Sequence, residues 1–226
     1  MPEAGALRWP LTGYGTRELV LGTALLGGAA ALAAWVWAPL AIAPAGLWLL
    51  LVNFFRDPER VPPEGEGKLV SPADGRVADM VRVREEEFLH SDALRIGIFM
   101  SVFNVHVNRA PVAGLVVYRG YRPGKFHNAM GPEATRENEC SSVGIERPDG
   151  SRVLVRQVAG LIARRIVTDC AVGDDLQRGE RFGMVKFGSR LEVYVPTGAA
   201  FRPRVKVGDR VRAGETVLGE MGAPGA

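Results

Sequence analysis

The first quarter of the chain shows no periodicity; it is apolar without a break. Between Glu18 and Arg56 no residue carries a charge, and most are Leu, Ala, Val, Gly or Trp. One helical crossing of a bilayer takes about 20 apolar residues, so this run is long for one straight crossing and short for two. Pro39 and Pro44 lie near its middle and favour a break there. Arg8 and Arg17 precede the run, and Arg56 and Arg60 follow it. Positive flanks on both sides fit a re-entrant or tight hairpin with both ends on the cytoplasmic side. Trp35, Trp37 and Trp48 suit a membrane interface. A buried hairpin in a soluble core is the competing reading, but a charge-free run of this length is hard to bury in a chain of this size. The second apolar half also argues against a cleaved signal peptide.

After residue 56 the pattern changes to period two. Phe54 to Arg60 closes the apolar run, and Val61 to Gly67 is a short linker rich in Pro and Gly. Ser71-Pro72-Ala73-Asp74-Gly75 is a turn by composition. Strands are predicted over residues 76–83, 93–99 and 115–121, and residues 139–146 and 152–158 form a hairpin about Pro148-Asp149-Gly150. The charged run Arg84 to Glu87 reads as a solvated loop, and Pro132 to Asn138 has room for a short helical turn. Met184 and Lys186, then Leu191, Val193 and Val195, step by two on either side of Gly188-Ser189. The frame Val-Gly-Asp-x-apolar-x-x-Gly-Glu occurs twice, from Val172 to Glu180 and from Val207 to Glu215. It resembles the turn that opens lipoyl and biotinyl carrier domains. The expected fold is therefore mainly β: a pseudo-symmetric sandwich or barrel with hammerhead-like turns, plus an N-terminal helical membrane hairpin. The expected organisation is an N-terminal segment 1–17, a membrane-anchoring segment 18–55 and a catalytic domain 56–226.

Composition narrows the function. The 226 residues carry a net charge of +3 without a basic run interleaved with aromatics, which excludes a nucleic-acid reader. The two cysteines, Cys140 and Cys170, form no Cys-x-x-Cys pair and no disulfide framework. Three residues then hold chemical interest. Asp74 precedes a glycine in a turn, where a carboxylate ordinarily accepts from backbone amides. His106, in Phe103-Asn104-Val105-His106-Val107-Asn108-Arg109, is either a satisfied buried donor or a proton-transfer group. Ser189 follows Gly188 at what reads as a hairpin turn; a serine hydroxyl becomes a nucleophile only when a base takes its proton.

Four stretches occur in the order found in phosphatidylserine decarboxylases: Phe54-Phe55-Arg56-Asp57-Pro58, Ser71-Pro72-Ala73-Asp74-Gly75, Phe103 to Pro111, and Phe187-Gly188-Ser189-Arg190. The chain resembles the short, membrane-anchored bacterial form of that family. The resemblance implies a self-processing proenzyme in which Ser189 attacks the Gly188 carbonyl, leaving a large chain 1–188 and a small chain 189–226. Ser189 would become a pyruvoyl group, the only cofactor, with no metal. That carbonyl accepts the electrons left when CO2 departs from a serine headgroup, as pyridoxal phosphate does elsewhere. Asp74 and His106 are the implied activators of Ser189, and His106 the implied proton donor in turnover. The implied partners are the phospholipid substrate, the membrane and the chain's own two fragments, with homo-oligomerisation left open. The implied location is the inner membrane, catalytic domain on the cytoplasmic side.

Two departures from longer members of the family bear on the site. Arg109 stands where they carry a second His, and Gly-Ser-Arg replaces their Gly-Ser-Thr. Arg109 and Arg190 are thus candidates to hold a substrate phosphate or carboxylate, and His127 in Lys125-Phe126-His127-Asn128 is a further substrate contact. Two rival readings come from other classes. A membrane-anchored carrier or adaptor would present Lys186 at an exposed hairpin tip. A zinc endopeptidase would need a His-x-His pair, and Val105-His106-Val107 has no second histidine nearby.

Overall fold

A computed structural model describes residues 10–161, 165–186 and 189–222. The chain divides after Glu59 into two compact units.

In the first unit, helix α1 (Thr16–Val36) and helix α2 (Ile42–Phe54) are joined by a 3-10 turn over Ala38–Ala41. Its 21 residues make α1 about 31 Å long, near the thickness of a bilayer's hydrocarbon core. It is the one described helix long and apolar enough to cross a membrane. The return leg is shorter: the 13 residues of α2 span about 20 Å. Trp37 breaks the helix by adopting an extended conformation, and Pro39 follows it in the 3-10 turn. Trp48 Nε1 donates to Thr23 Oγ1 across the pair, 3.0 Å away, and Leu51 lies against Gly22. The two ends are tied together: Thr12 N–H donates to the Phe55 carbonyl and Asp57 N–H to the Pro10 carbonyl.

The second unit is mainly β. Its strands are β1 (Lys68–Val70), β2 (Gly75–Glu85), β3 (Ser91–Met100), β4 (Val107–Arg109), β5 (Gly114–Arg122), β6 (Cys140–Glu146), β7 (Arg152–Val158), β8 (Arg165–Thr168), β9 (Asp175–Leu176), β10 (Arg181–Lys186), β11 (Ser189–Pro196), β12 (Arg202–Pro203), β13 (Arg210–Val211) and β14 (Val217–Glu220), with a short helix α3 (Pro132–Glu137) before β6. A curled half-barrel sheet runs β13-β2-β3-β11-β7-β6-β5-β9, beside two small sheets, β1-β14-β12 and β4-β10-β8. Every pairing among these named strands is antiparallel. The expected hairpin about Asp149 forms, with Glu146 opposite Arg152. Of the charged run read as a solvated loop, only Glu86 and Glu87 lie beyond β2; Arg84 and Glu85 complete the strand, and Glu85 is buried because its carboxylate accepts from the amides of Glu87, Phe88 and Leu89.

The repeated frame produces a pseudo-two-fold. Gly173 and Gly208 both have φ near +100°, and Gly179 and Gly214 both lie in the left-handed region, which a side chain would strain. The bonds match as well. Gly173 N–H donates to Val116 O and Gly208 N–H to Val77 O; Gly179 N–H donates to Ala110 O and Gly214 N–H to Ser71 O. The acceptors reveal a second echo, Ser71-Pro72-Ala73-Asp74-Gly75-Arg76-Val77 against Ala110-Pro111-Val112-Ala113-Gly114-Leu115-Val116. The two stretches cross-bond reciprocally, Val70 N–H to Pro111 O and Arg109 N–H to Pro72 O.

The strands on either side of Gly188-Ser189 do not pair with each other as a hairpin's would. β10 pairs with β4 and β8, whereas β11 pairs with β3 and β7 in the large sheet. β10 and β11 therefore belong to different sheets. Period two predicts strands on both sides but is silent about their partners. Leu191, Val193 and Val195 enter the main core with Ile96, Ile98 and Val155.

Packing at the mouth of β2 is tight. A Cβ on Gly75 would come within 2.2 Å of the Phe99 carbonyl oxygen, a backbone atom with no freedom to retreat. A Cβ on Gly173 meets nothing within 4 Å, so only its positive φ opposes a side chain. Gly75→Ala is therefore expected to lower stability by about 2–3 kcal/mol and Gly173→Ala by about 1 kcal/mol, compared by urea unfolding.

Candidate functional site

The site gathers at the end of β3. Met100, its last residue, faces Ser189 on one side in the ladder, and Phe99 faces Arg76 on the other. The tight turn Ser101–Asn104 follows, closed by Asn104 N–H donating to the Ser101 carbonyl. Asn104 Oδ1 accepts from both the Ser101 amide, at 2.9 Å, and the Ser101 hydroxyl, at 2.8 Å. The Asn104 carbonyl lies 2.9 Å from His106 Nδ1. A carbonyl only accepts, so Nδ1 carries the proton and Nε2 is the basic nitrogen of the neutral ring. His106 is fully buried.

Asp74 sits in the turn just before β2, nearly buried. Its Oδ1 accepts from the Ala213 amide at 2.8 Å, and Arg60 Nη2 stands 3.2 Å from Oδ2. Arg60 also holds Glu215 at 2.8 Å. In sequence Arg60 is only a positive flank of the apolar run, and nothing in its spacing marks it as the partner of Asp74. A cleft of about 560 Å³ opens here, walled by Asp74, Arg76, Ser101, Asn104, Arg210 and Arg212. The structure thus brings Asp74 and the segment carrying His106 to one place.

Ser189 is fully buried at the first position of β11. Its Oγ has no hydrogen-bond partner among the described residues. Gly188, expected as its partner in cleavage, lies outside the described residues, as does Phe187.

The second face of β11 carries Arg190, Glu192 and Tyr194, all buried. Glu192 Oε1 accepts from Arg190 Nε and from the Thr135 hydroxyl, each at 2.7 Å, and Oε2 accepts from the Tyr194 hydroxyl at 2.6 Å. Arg190 Nη2 also pairs with Asp79 at 2.5 Å, and Arg156 donates to the Tyr194 oxygen at 2.8 Å. Burial alone would lower the Arg190 pKa, but Glu192 and Asp79 more than offset it and the value is raised. Burial, reinforced by Glu192, pushes the Tyr194 phenol up, so it stays a donor at neutral pH.

The remaining candidates are placed as follows. Arg109 is buried, with Nη1 donating to the Gly179 carbonyl at 3.0 Å. His127 is part-exposed beside Glu137, 3.2 Å from its carboxylate. Lys186 is only 3% exposed, paired in β10 opposite Arg165, and not at an exposed tip as a carrier lysine would be. Among the described residues no group of three or more His, Cys, Asp or Glu is set to hold a metal ion. Arg76, Arg210 and Arg212 were not singled out from sequence, although the repeat places Asp175 and Gln177 where Arg210 and Arg212 stand.

Comparison with known proteins matches the phosphatidylserine decarboxylase family model over residues 47–219. A protein of Symbiobacterium thermophilum is 50% identical over 85% of this chain and 88% of its own length. One of Rhodopirellula baltica is 46% identical over 92% of this chain and 87% of its own, and one of Ralstonia nicotianae 45% identical over 94% and 93%. All three are named phosphatidylserine decarboxylase proenzyme.

Removing the shared carboxylate would leave the Arg190 and Tyr194 groups buried and short of a partner. Glu192→Ala is expected to cost about 3–5 kcal/mol, and Tyr194→Phe about 1 kcal/mol, read as melting temperatures of the two variants by circular dichroism.

Proposed function

We propose, since the chain belongs to the phosphatidylserine decarboxylase family and is a decarboxylase, that it is made as a proenzyme and cuts itself between Gly188 and Ser189 to build its own pyruvoyl group. The observation that carries this reading is the Ser189 hydroxyl, buried and unpartnered among the described residues. Leaving such a group unmatched costs about 1–3 kcal/mol, and an orphan of this kind calls for a reason. A nucleophile awaiting a base is that reason.

A base removes the Oγ proton, and Oγ bonds to the Gly188 carbonyl carbon as the C–N bond breaks. The amide becomes an ester, and the residue 189 nitrogen becomes a free amine. Loss of the residue 189 α-proton then breaks the Cβ–Oγ bond, releases the Gly188 carboxylate and leaves dehydroalanine. Water displaces its nitrogen as ammonia, and a ketone remains. His106 is the base: its Nδ1 proton is held on the Asn104 carbonyl, which leaves Nε2 to take the proton. Asp74, fixed by Arg60 and the Ala213 amide, is the second group assigned to activating Ser189.

The residues fit a pyruvoyl group, since its precursor hydroxyl is buried. That carbonyl supplies an electron sink for the carbanion left when CO2 leaves the serine headgroup of phosphatidylserine. His106 then delivers a proton to the substrate Cα, giving phosphatidylethanolamine. Arg190, locked between Asp79 and Glu192, positions residue 189 rather than touching lipid. Arg109, bonded to Gly179, steadies the turn beside the site. His127, part-exposed, is the third candidate contact for substrate. The apolar hairpin anchors the chain in the inner membrane. Its closed base at residues 10–12 and 55–57 keeps both flanks on one side, and the arginines there favour the cytoplasmic one.

Mass spectrometry of the purified protein is the test. The expected result is a chain ending at Gly188 and a 38-residue fragment, 189–226, with a blocked N-terminus that reacts with hydroxylamine. Ser189→Ala is expected to run as one band without decarboxylase activity. His106→Ala is expected to slow turnover by about 10²–10⁴-fold; CO2 release at a near-normal rate would refute its role as proton donor. An active preparation made of one unbroken chain would refute the whole scheme.

A further inference from the structure

The cleft beside Asp74 contains more positive charge than its fold requires. Arg76 on β2 and Arg210 on β13 stand directly opposite in the antiparallel pair. Like charges so placed repel. Neither has a carboxylate partner among the described residues; Arg76 Nη1 donates only to the Gly208 carbonyl, at 3.0 Å. This contrasts with Arg60, Arg95, Arg156 and Arg190, each of which has a carboxylate within 3.2 Å. Arg212 is 3.8 Å from Glu215, which Arg60 already holds at 2.8 Å. Asp74, the one carboxylate on the wall, is likewise occupied by Arg60.

The pseudo-two-fold supplies an internal control. In the other half the same register pairs Leu115 with Asp175, and Gln177 takes the place of Arg212. The turn therefore folds without the arginines, and a repulsive pair is retained in one half only. An anion bound between them would remove the repulsion.

The lip of the cleft is apolar. Met130 lines it and is 64% exposed. Val102 and Phe103, at the tip of the turn whose ends Ser101 and Asn104 form part of the wall, are 42% and 65% exposed. A row of arginines beside large exposed apolar side chains matches one class of ligand, an anionic phosphodiester joined to acyl chains.

We propose that Arg76, Arg210 and Arg212 bind the phosphodiester of the substrate phospholipid, and that Val102, Phe103 and Met130 dip into the bilayer surface around it. This rests on the reading that the chain decarboxylates phosphatidylserine. It goes further by naming the residues that select a phospholipid over free serine.

The test compares phosphatidylserine in phosphatidylcholine vesicles with soluble glycerophosphoserine, using the full-length processed protein. Arg76→Ala and Arg210→Ala are each expected to raise KM for both substrates by roughly 10–100-fold with little change in kcat. Both side chains are exposed, and relieving their repulsion should leave Tm unchanged or raised, which a structural role would not. Phe103→Ser with Met130→Ser is expected to lose at least about tenfold more activity on vesicles than on glycerophosphoserine. A second arm needs no turnover: equilibrium dialysis of glycerophosphoserine against the uncut Ser189→Ala protein, with affinity falling when Arg76 and Arg210 are replaced and when salt is added. Unchanged KM and unchanged affinity in the arginine variants would overturn the phosphate site. Equal losses on the two substrates would overturn the bilayer lip. A denaturing gel separates these failures from that of the underlying reading: wild type that neither splits nor decarboxylates refutes the reading, whereas normal splitting with unchanged KM refutes the site alone.

Discussion

The second unit depends on one strand with two unlike faces. β11 is paired along both edges, to β3 and β7. One face sends Leu191, Val193 and Val195 into the core; the other sends Arg190, Glu192 and Tyr194 into a closed ionic lattice. A slip of one residue would drive Glu192 into hydrocarbon and strand the arginines that surround it. The register is therefore held from both faces and both edges. Ser189 is the first residue of this strand, laddered to Met100 of β3, and the pairing with β7 begins one residue later at Arg190.

Around that strand the fold is built twice and differentiated once. Glycines at matching positive φ, matching amide bonds and the reciprocal contacts of Val70 and Arg109 make the two halves equivalent in backbone. The side chains are not equivalent. Asp74 corresponds to Ala113, Arg76 to Leu115 and Arg210 to Asp175. The repeat satisfies the backbone, and the residues that depart from it collect on one cleft. Departure from an internal repeat is thus a physical marker of a site, because folding alone gives no reason for it.

Much of this was legible in sequence, for reasons that also explain what was not. The hairpin about Asp149 and the strands around Val77 and Ile96 follow from alternation and turn residues. The Val-Gly-Asp frame was visible as text. Its second echo, Ser71–Val77 against Ala110–Val116, shares only a Pro, a Gly and a Val and emerges once the amide bonds are drawn. The sheets joined by β10 and β11 could not be read, since alternation reports exposure and says nothing of partners. Arg190 read as a ligand contact because it is charged and adjacent to Ser189. Its burial against Asp79 and Glu192 depends on a register that local sequence does not carry. Arg76 and Arg210 were missed for the same reason: their repulsive meeting is a fact about pairing between segments far apart in the chain.

The place of the proposed cut follows from this topology. A break within a ladder would free a strand end and expose its amides. The Gly188-Ser189 bond lies in sequence between β10, which ends at Lys186 in one sheet, and β11, which begins at Ser189 in another. Breaking it there removes a link without dividing either sheet. The fragment that follows is then held by strands threaded through its partner: β11 between β3 and β7, β13 against β2, and β14 against β1. Its acidic and basic side chains close the same lattice, Arg190 with Asp79, Glu192 with Thr135, and Tyr194 with Arg156. The fold that makes the hydroxyl of Ser189 inaccessible to water is also the one that can lose the bond beside it and stay assembled.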